Sequence, residues 1–384
     1  MTEPRNVFIT ATATCLPNAP VGNEDIEAVL GRVGGRPSRA RRIVLRNNGI
    51  VQRHYAIDPA TGEATHNNAQ LTAEAVRGLV GDDFALEHIE CLVTGTSLPD
   101  QLMPNHGVMV HGELGNPACE VVSTAGICLA GLTALKYAWL SVLAGNSHNA
   151  IATGSDLPSV ILRGEQFEAE TEARVAALEA QPEIAFEKDF LRWMLSDGAG
   201  AFLLQSTPRA SGRSLRIDWI ELSSQAHTQP ACMYAGGDKD THGRLRGWAL
   251  HTPQAWGKQS IFAIKQDVRL LNENVVAHTL EAPLRALIAK RGLASAQIDW
   301  FLPHMSSHYF RQPIADCLAH LGLPIAPERW FTNLATKGNT GAASIYIMID
   351  ELLRSGRLAA GQRLLCFVPE SGRFSSGFVH LTVV

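Results

Sequence analysis

The chain has 384 residues and no apolar run near the roughly 18 residues that a membrane-spanning helix requires. Its opening, MTEPRNVFITATATC, puts an acid and a proline where a secretory signal would be basic and then apolar. The expectation is therefore a cytoplasmic protein. Excess charge of either sign is also missing: 33 Lys and Arg stand against 37 Asp and Glu, a net charge of −4. Phosphate neutralisation needs a surplus of basic residues on one face, so nucleic acid is a poor partner. The seven cysteines (15, 91, 119, 128, 232, 317 and 366) are odd in number and never form C-x-x-C. That excludes a disulfide framework and a zinc knuckle. His106, His111, His242 and His251 lack carboxylate or cysteine partners at ligand spacing, and no metal is expected.

What the sequence does contain is an internal repeat. NVFITATATCLP (6–17) is matched by LRIDWIELSSQ (215–225), and IECLVTGTS (89–97) by IDWFLPHMSS (298–307). The strand-to-helix unit at 119–145 is matched by 329–356, and NAIATGSD (149–156) by RLLCFVPESG (363–372). Four matches in one order, at a nearly constant offset, define a duplicated α/β module, with halves at 1–205 and 206–384. Short Val/Ile/Leu strands alternate with helices placed at 72–80, 128–144, 260–291 and 341–355, which implies mixed sheets sandwiched by helices. Two stretches fall outside the repeat. Residues 157–190 are acidic and helix-favouring, and 226–258 are rich in Gly, His, Trp and Arg. Each either shapes access to a site or is a solvated excursion.

The chemistry concentrates at equivalent strand ends. VVSTAGICLAGLTALKYAWLSVLAG places Cys128 after a strand and a small-residue turn, at the first turn of a helix. Partial positive charge and unpaired N–H groups there favour a thiolate and lower the thiol pKa. A lone cysteine is more often a small buried hydrophobe, but Thr124, Ala125, Gly126, Ala130 and Gly131 leave room for a ligand. His304 follows the strand DWFLP, and Asn339 lies in KGNTGAAS, the turn that the repeat pairs with that of Cys128. Taken singly, His304 reads as a packed or surface histidine and Asn339 as a turn former. The pseudo-two-fold relation predicts that all three meet.

The Cys turn, LPHMSS, NLATKGNTGAAS and the terminal FVPESGRFSSGFVHL resemble the thiolase superfamily, most of all β-ketoacyl-acyl carrier protein synthase III and its relatives in secondary metabolism. The resemblance runs through NNGIVQR (47–53) and SDGAGAFLLQ (196–205) to the C-terminus. It implies a five-layer αβαβα sandwich, a homodimer, and no permanently bound cofactor. Coenzyme A or phosphopantetheine thioesters would be substrates, with acyl-CoA and acyl carrier protein as partners.

In such enzymes a residue matching Cys128 takes an acyl group. Residues matching His304 and Asn339 then hold a malonyl-type thioester as it decarboxylates and attacks the acyl-enzyme. Thiolate nucleophilicity and two neutral donors suit these steps. The implied oxyanion hole uses the backbone N–H of Cys128 and one from the Gly372–Arg373 turn.

Three features depart from the common pattern: Ile127 and Leu129 flank Cys128, Arg373 replaces a usual glycine, and MSSHYF follows His304. They point to a specialised pathway. No C-terminal Cys-x-Gly marks a degradative thiolase, a second histidine of elongating synthases is replaced by Asn339, and the Gly-Phe-Gly-Pro-Gly loop of chalcone synthases is absent. A papain-type hydrolase would not explain the duplication, and a non-catalytic partner subunit would not need all three residues. Acyl transfer to an alcohol or amine without decarboxylation remains the nearest alternative. Arginines 32, 36, 39, 41, 42 and 46 form a local basic excess, either a solvated helix face or a patch for coenzyme A phosphates or an acidic carrier, with Arg36, Arg42 and Arg46 the candidates.

Overall fold

The computed structural model describes residues 6–38, 41–167 and 190–384. Most of the acidic 157–190 stretch, namely 168–189, and Arg39 of the basic patch lie outside the described residues.

Nine strands form the main sheet: β1 (Phe8–Cys15), β2 (Cys91–Thr96), β3 (Glu120–Ala125), β4 (Asn149–Asp156), β5 (Gly198–Gln205), β6 (Leu215–Ser224), β7 (Trp300–Pro303), β8 (Arg363–Glu370) and β9 (Ser375–Val383). Their order is β7-β8-β9-β6-β1-β5-β4-β2-β3. The antiparallel pair β1–β6, through Phe8 with Arg216 and Ile9 with Leu215, joins two blocks. Moving outward from that seam, one block reads β1-β5-β4-β2-β3 and the other β6-β9-β8-β7. Pair directions match as well: β1–β5 and β5–β4 are antiparallel and β4–β2 parallel, as are β6–β9, β9–β8 and β8–β7 in the same order. The expected counterpart of β3, near 329–333, shrinks to one parallel bridge between Phe301 and Trp330. After Phe331 N–H bonds Phe301 O (2.9 Å), the chain turns directly into the short helix Leu334–Lys337.

Helices complete five layers. Besides α1 (Arg41–Asn48), these are α2 (Asn68–Arg77), α3 (His106–Leu114), α4 (Ala130–Ala144), α5 (Val268–Val275), α6 (Ala282–Arg291), α7 (Arg311–His320) and α8 (Ser344–Arg354). α2 and α3 cover the outer face of the first block. α4 and α8 fill the middle, and α5, α6 and α7 lie outside the second block. The central position explains α8, whose sequence IYIMI is buried on nearly every side rather than along one stripe. β4 is buried at all eight residues, as expected of a strand covered on both faces.

The helix expected at 260–291 begins later. Asp267 caps α5, its carboxylate accepting the Leu270 N–H at 2.9 Å, and residues 265–266 pair instead with Met233–Tyr234. A π-helical turn, Val276–Glu281, then links α5 to α6.

Glycines let the two central helices approach closely. A Cβ on Gly131 or Gly154 would stand 2.3 Å from Ala342 O, and one on Gly200 would stand 2.3 Å from Tyr346 Cβ. The Tyr346 hydroxyl donates to Gly131 O at 2.8 Å across this contact. The start of α8 is thereby set against the start of α4, which fixes the turns that precede them.

Candidate active site

Cys128 sits in the turn between β3 and α4, two residues before the first helical residue. Ala130 N–H closes the turn on Ile127 O (3.0 Å), and the Thr124 hydroxyl donates to Ala130 O (2.9 Å). Beyond β7, His304 N–H donates to Phe367 O at 2.8 Å, which continues the parallel pairing with β8 and fixes the backbone that carries the imidazole. Asn339 is pinned on both sides of its peptide: its N–H donates to Met194 O (3.0 Å), and its O accepts the Ser196 N–H (2.9 Å). Its Oδ1 accepts the Gly341 N–H at 3.0 Å. That bond fixes the amide orientation and leaves the two Nδ2 hydrogens for a ligand.

All three side chains line one cavity of about 340 Å³. Asp156, Ser97 and Ser371 add polar atoms to it. The rest is largely apolar, supplied by Met194, Met233, Leu280, Phe310 and Phe367 among others, with Ile127 beside Cys128. The 226–258 excursion contributes Met233, Tyr234 and Ala235, so it does shape the cavity. No Lys or Arg among the described residues lines it.

This environment sets the protonation states. His304 is 4 % exposed, and burial lowers its pKa to about 4, so the imidazole is neutral at physiological pH. The Cys128 thiol is pushed above its ordinary value, first by burial and then by the Asp156 and Glu370 carboxylates. This reverses the expectation of a thiol lowered by the helix N-terminus. Burial, which penalises the thiolate, is the first physical reason; in addition the Ile127 N–H at that terminus already bonds Glu370 Oε2 (3.1 Å), so a carboxylate occupies part of the place the thiolate charge was expected to exploit.

Gly372 does not line the cavity, but its neighbour Ser371 does, and a Cβ on Gly372 would stand 2.8 Å from Ile127 Cδ1. Gly372 O is used by the N–H groups of Cys232 (2.8 Å) and Met233 (3.3 Å). Arg373 points away, Nε donating to Gln229 O at 2.6 Å. Arg36, Arg42 and Arg46 are exposed and lie off the cavity wall. Their neighbour Arg41 is engaged with Glu24 and stacks its guanidinium over Trp193 at 5.7 Å.

Two carboxylates at the site were not singled out from the sequence. Asp156 Oδ2 accepts the Ala342 N–H (2.6 Å) and the Ser97 hydroxyl (2.8 Å), while Oδ1 accepts the Ser97 N–H (2.8 Å). It thereby ties the end of β4 to the start of the second central helix. Burial raises its pKa to about 6. Its signal was the acid ending the strand NAIATGSD, and that of Glu370 the acid within PESG.

Because the neutral imidazole persists far below the usual histidine range, protonation of His304 is lost as a cause of inactivation until pH falls towards 4. His304 should therefore contribute no acid limb above about pH 5, and a limb near pH 6 would belong to Asp156. A His304 ring that titrates by NMR with a midpoint near about pH 6.5 would mean a solvated imidazole.

Comparison with known proteins agrees with this architecture. The family described as 3-Oxoacyl-[acyl-carrier-protein (ACP)] synthase III C terminal matches residues 288–378. A β-ketoacyl-[acyl-carrier-protein] synthase III of Rhodospirillum rubrum is 27% identical over 328 residues, covering 84% of this chain and 85% of that protein. Among solved structures, the tetronic acid condensing enzyme AbyA1 superposes with a TM-score of 0.73 at 20% identity, covering 98% of this chain and 99% of the other. A cysteine-to-serine variant of OleA from Xanthomonas campestris, solved with bound lauric acid and lauroyl-CoA, gives 0.72 at 19% identity and 99% of both chains. The duplicated sheet has the fold of these condensing enzymes, and along most of its length the chain is similar to β-ketoacyl-[acyl-carrier-protein] synthase III, whose C-terminal family matches residues 288–378.

Proposed function

We propose that the protein loads an acyl group from acyl-CoA or an acyl carrier protein onto Cys128 and condenses it with a malonyl- or β-ketoacyl-thioester. The observation that carries this reading is the meeting of Cys128, His304 and Asn339 in one cavity, each supplied by a different strand end. In the first half-reaction the Cys128 sulfur forms a bond to the acyl carbonyl carbon. The bond to the donor sulfur breaks, and the thiol proton leaves on the released coenzyme A or carrier thiol. In the second, a malonyl extender loses CO2, or a β-ketoacyl one loses its acidic α-proton to water, and the enolate oxygen takes hydrogen bonds from His304 and the Asn339 amide. The new carbanion attacks the acyl-enzyme carbonyl, the bond to the Cys128 sulfur breaks, and the released thiolate takes a proton from water. Both donors are neutral, so they stabilise the enolate without consuming it.

No backbone carbonyl among the described residues accepts the N–H groups of Cys128 and Gly372, which supports their assignment to the oxyanion hole of the acyl steps. The apolar lining favours an aliphatic primer, and no resident cofactor has a role in either step. We further divide the chain at 205/206 into a half that carries the cysteine and a half that carries His and Asn. Homodimer formation is supported by the free edge of β3, where Ser123 and Ala125 are exposed, and by the exposed Leu102 (64 %) and Met103 (85 %) of the loop before α3. Arg36, Arg42 and Arg46 are the residues offered to coenzyme A phosphates or an acidic carrier face.

Incubation with a panel of acyl-CoAs, read by intact mass, tests the loading step. One acyl group per chain, mapped to Cys128 and absent from Cys128→Ala, is the expected result. A folded protein that acquires no adduct from any donor would remove the covalent mechanism.

A further inference from the structure

Glu370, the last residue of β8, reaches back to the turn that presents Cys128. Its Oε2 accepts the Ile127 N–H at 3.1 Å. Oε2 also lies 3.2 Å from the position of a Cβ on Gly126, and Oε1 lies 3.2 Å from one on Gly372. The carboxylate thus fills the gap between the cysteine turn and the C-terminal turn, and both turns are glycine where a side chain would crowd it. Ile127 and Leu129 flank the cysteine, and both N–H groups are directed at Glu370. The Cys128 N–H between them is taken by no backbone carbonyl and bonds only its own sulfur.

We propose that Glu370 is a positioning residue for the reactive cysteine: its carboxylate anchors the 126–129 turn so that the Cys128 N–H stays available to an incoming carbonyl, and it sets a negative charge beside the sulfur until an acyl donor binds. This rests on Cys128 being the acylated nucleophile. Burial acts first on that sulfur, then the carboxylates of Asp156 from β4 and Glu370 from β8, while His304 beyond β7 and Asn339 before α8 line the same cavity. His304 and Asn339 are neutral. Asp156 is committed to Ser97 and Ala342, which locks it in place. With no Lys or Arg in the wall, like-charge repulsion from the two carboxylates is unopposed, the reverse of the electropositive setting in which reactive cysteines are usually found. A resting thiol of this kind resists oxidants and stray electrophiles, whereas the acyl-enzyme, a neutral thioester, does not feel the repulsion.

The test is alkylation by iodoacetamide, without any acyl donor, from about pH 6 to pH 10, with Cys128 followed by peptide mass in the full-length protein. Glu370→Gln keeps an oxygen for the Ile127 N–H but removes the charge, and Glu370→Asp keeps the charge. The expected result is roughly tenfold faster Cys128 alkylation in Glu370→Gln than in the parent at each pH, with Glu370→Asp close to the parent. Equal rates in the parent and Glu370→Gln, with both folded by thermal melting, would overturn the proposal. A parent that alkylates at Cys128 with this dependence but accepts no acyl group would instead refute the acyl-loading reading, so the two failures are separable.

Discussion

Asn339→Ala is expected to lower condensation by about 10²- to 10³-fold while Cys128 still acquires its acyl group at near the parental rate. The magnitude is that of removing one preorganised donor from a developing oxyanion. The selectivity follows from position. Asn339 stands on the turn before the second central helix, a different element from the turns whose Cys128 and Gly372 N–H groups would serve acylation, and its Nδ2 is the atom left free once Oδ1 accepts the Gly341 N–H. Truncation also removes that internal bond, so Asn339→Asp is the control. It retains the acceptor for Gly341, loses the donor, and should be similarly deficient in condensation. Single-turnover acylation by mass, set beside product formation from a malonyl thioester, gives the comparison. Unchanged product formation in Asn339→Ala would favour transfer of the acyl group to an alcohol or amine without decarboxylation.

Replacing Gly341 should cost the most stability for the least chemical change. Its φ of +54° lies in the left-handed region, which a side chain occupies only with strain. A Cβ there would stand 1.9 Å from Asp156 Oδ2, the oxygen that accepts the Ala342 N–H. Backbone strain of about 1 kcal/mol and overpacking of about 1–3 kcal/mol together give roughly 2–4 kcal/mol for Gly341→Ala, a large share of an ordinary stability of about 5–15 kcal/mol. Denaturant unfolding should show the midpoint drop, and condensation should fall with it because Asn339 rides on the same turn. A midpoint equal to the parent's would mean that the 339–342 turn is free to move and does not hold Asn339 by tight packing.

The repeat was the most legible feature of the sequence, because strands buried on both faces must be written in runs of Val, Ile, Leu and Ala, and β4 and β8 keep that signature at the same offset. The same repeat put Cys128 and Asn339 at equivalent turns, and the cavity they share with His304 is its direct geometric consequence. The late start of α5 was harder to read. Periodicity ran through 260–267, while the stop came from a single aspartate whose cap depends on the local chain path. The counterpart of β3 failed for a tertiary reason, since one bridge to Phe301 satisfies Trp330 and the chain is then needed for the helix that precedes Asn339.

By itself, then, the order of residues determined the duplicated α/β architecture and the three side chains that converge, since both are encoded in local apolar patterning and a constant offset. Only the folded chain decided the charge state at the cysteine. A helix terminus favours a thiolate when it is solvated and its N–H groups are open, but burial removed the water, Asp156 added a carboxylate, and Glu370, more than two hundred positions away, took the Ile127 N–H. Electrostatics depends on which groups become neighbours and on what solvent they lose, and neither is written in the spacing of a motif.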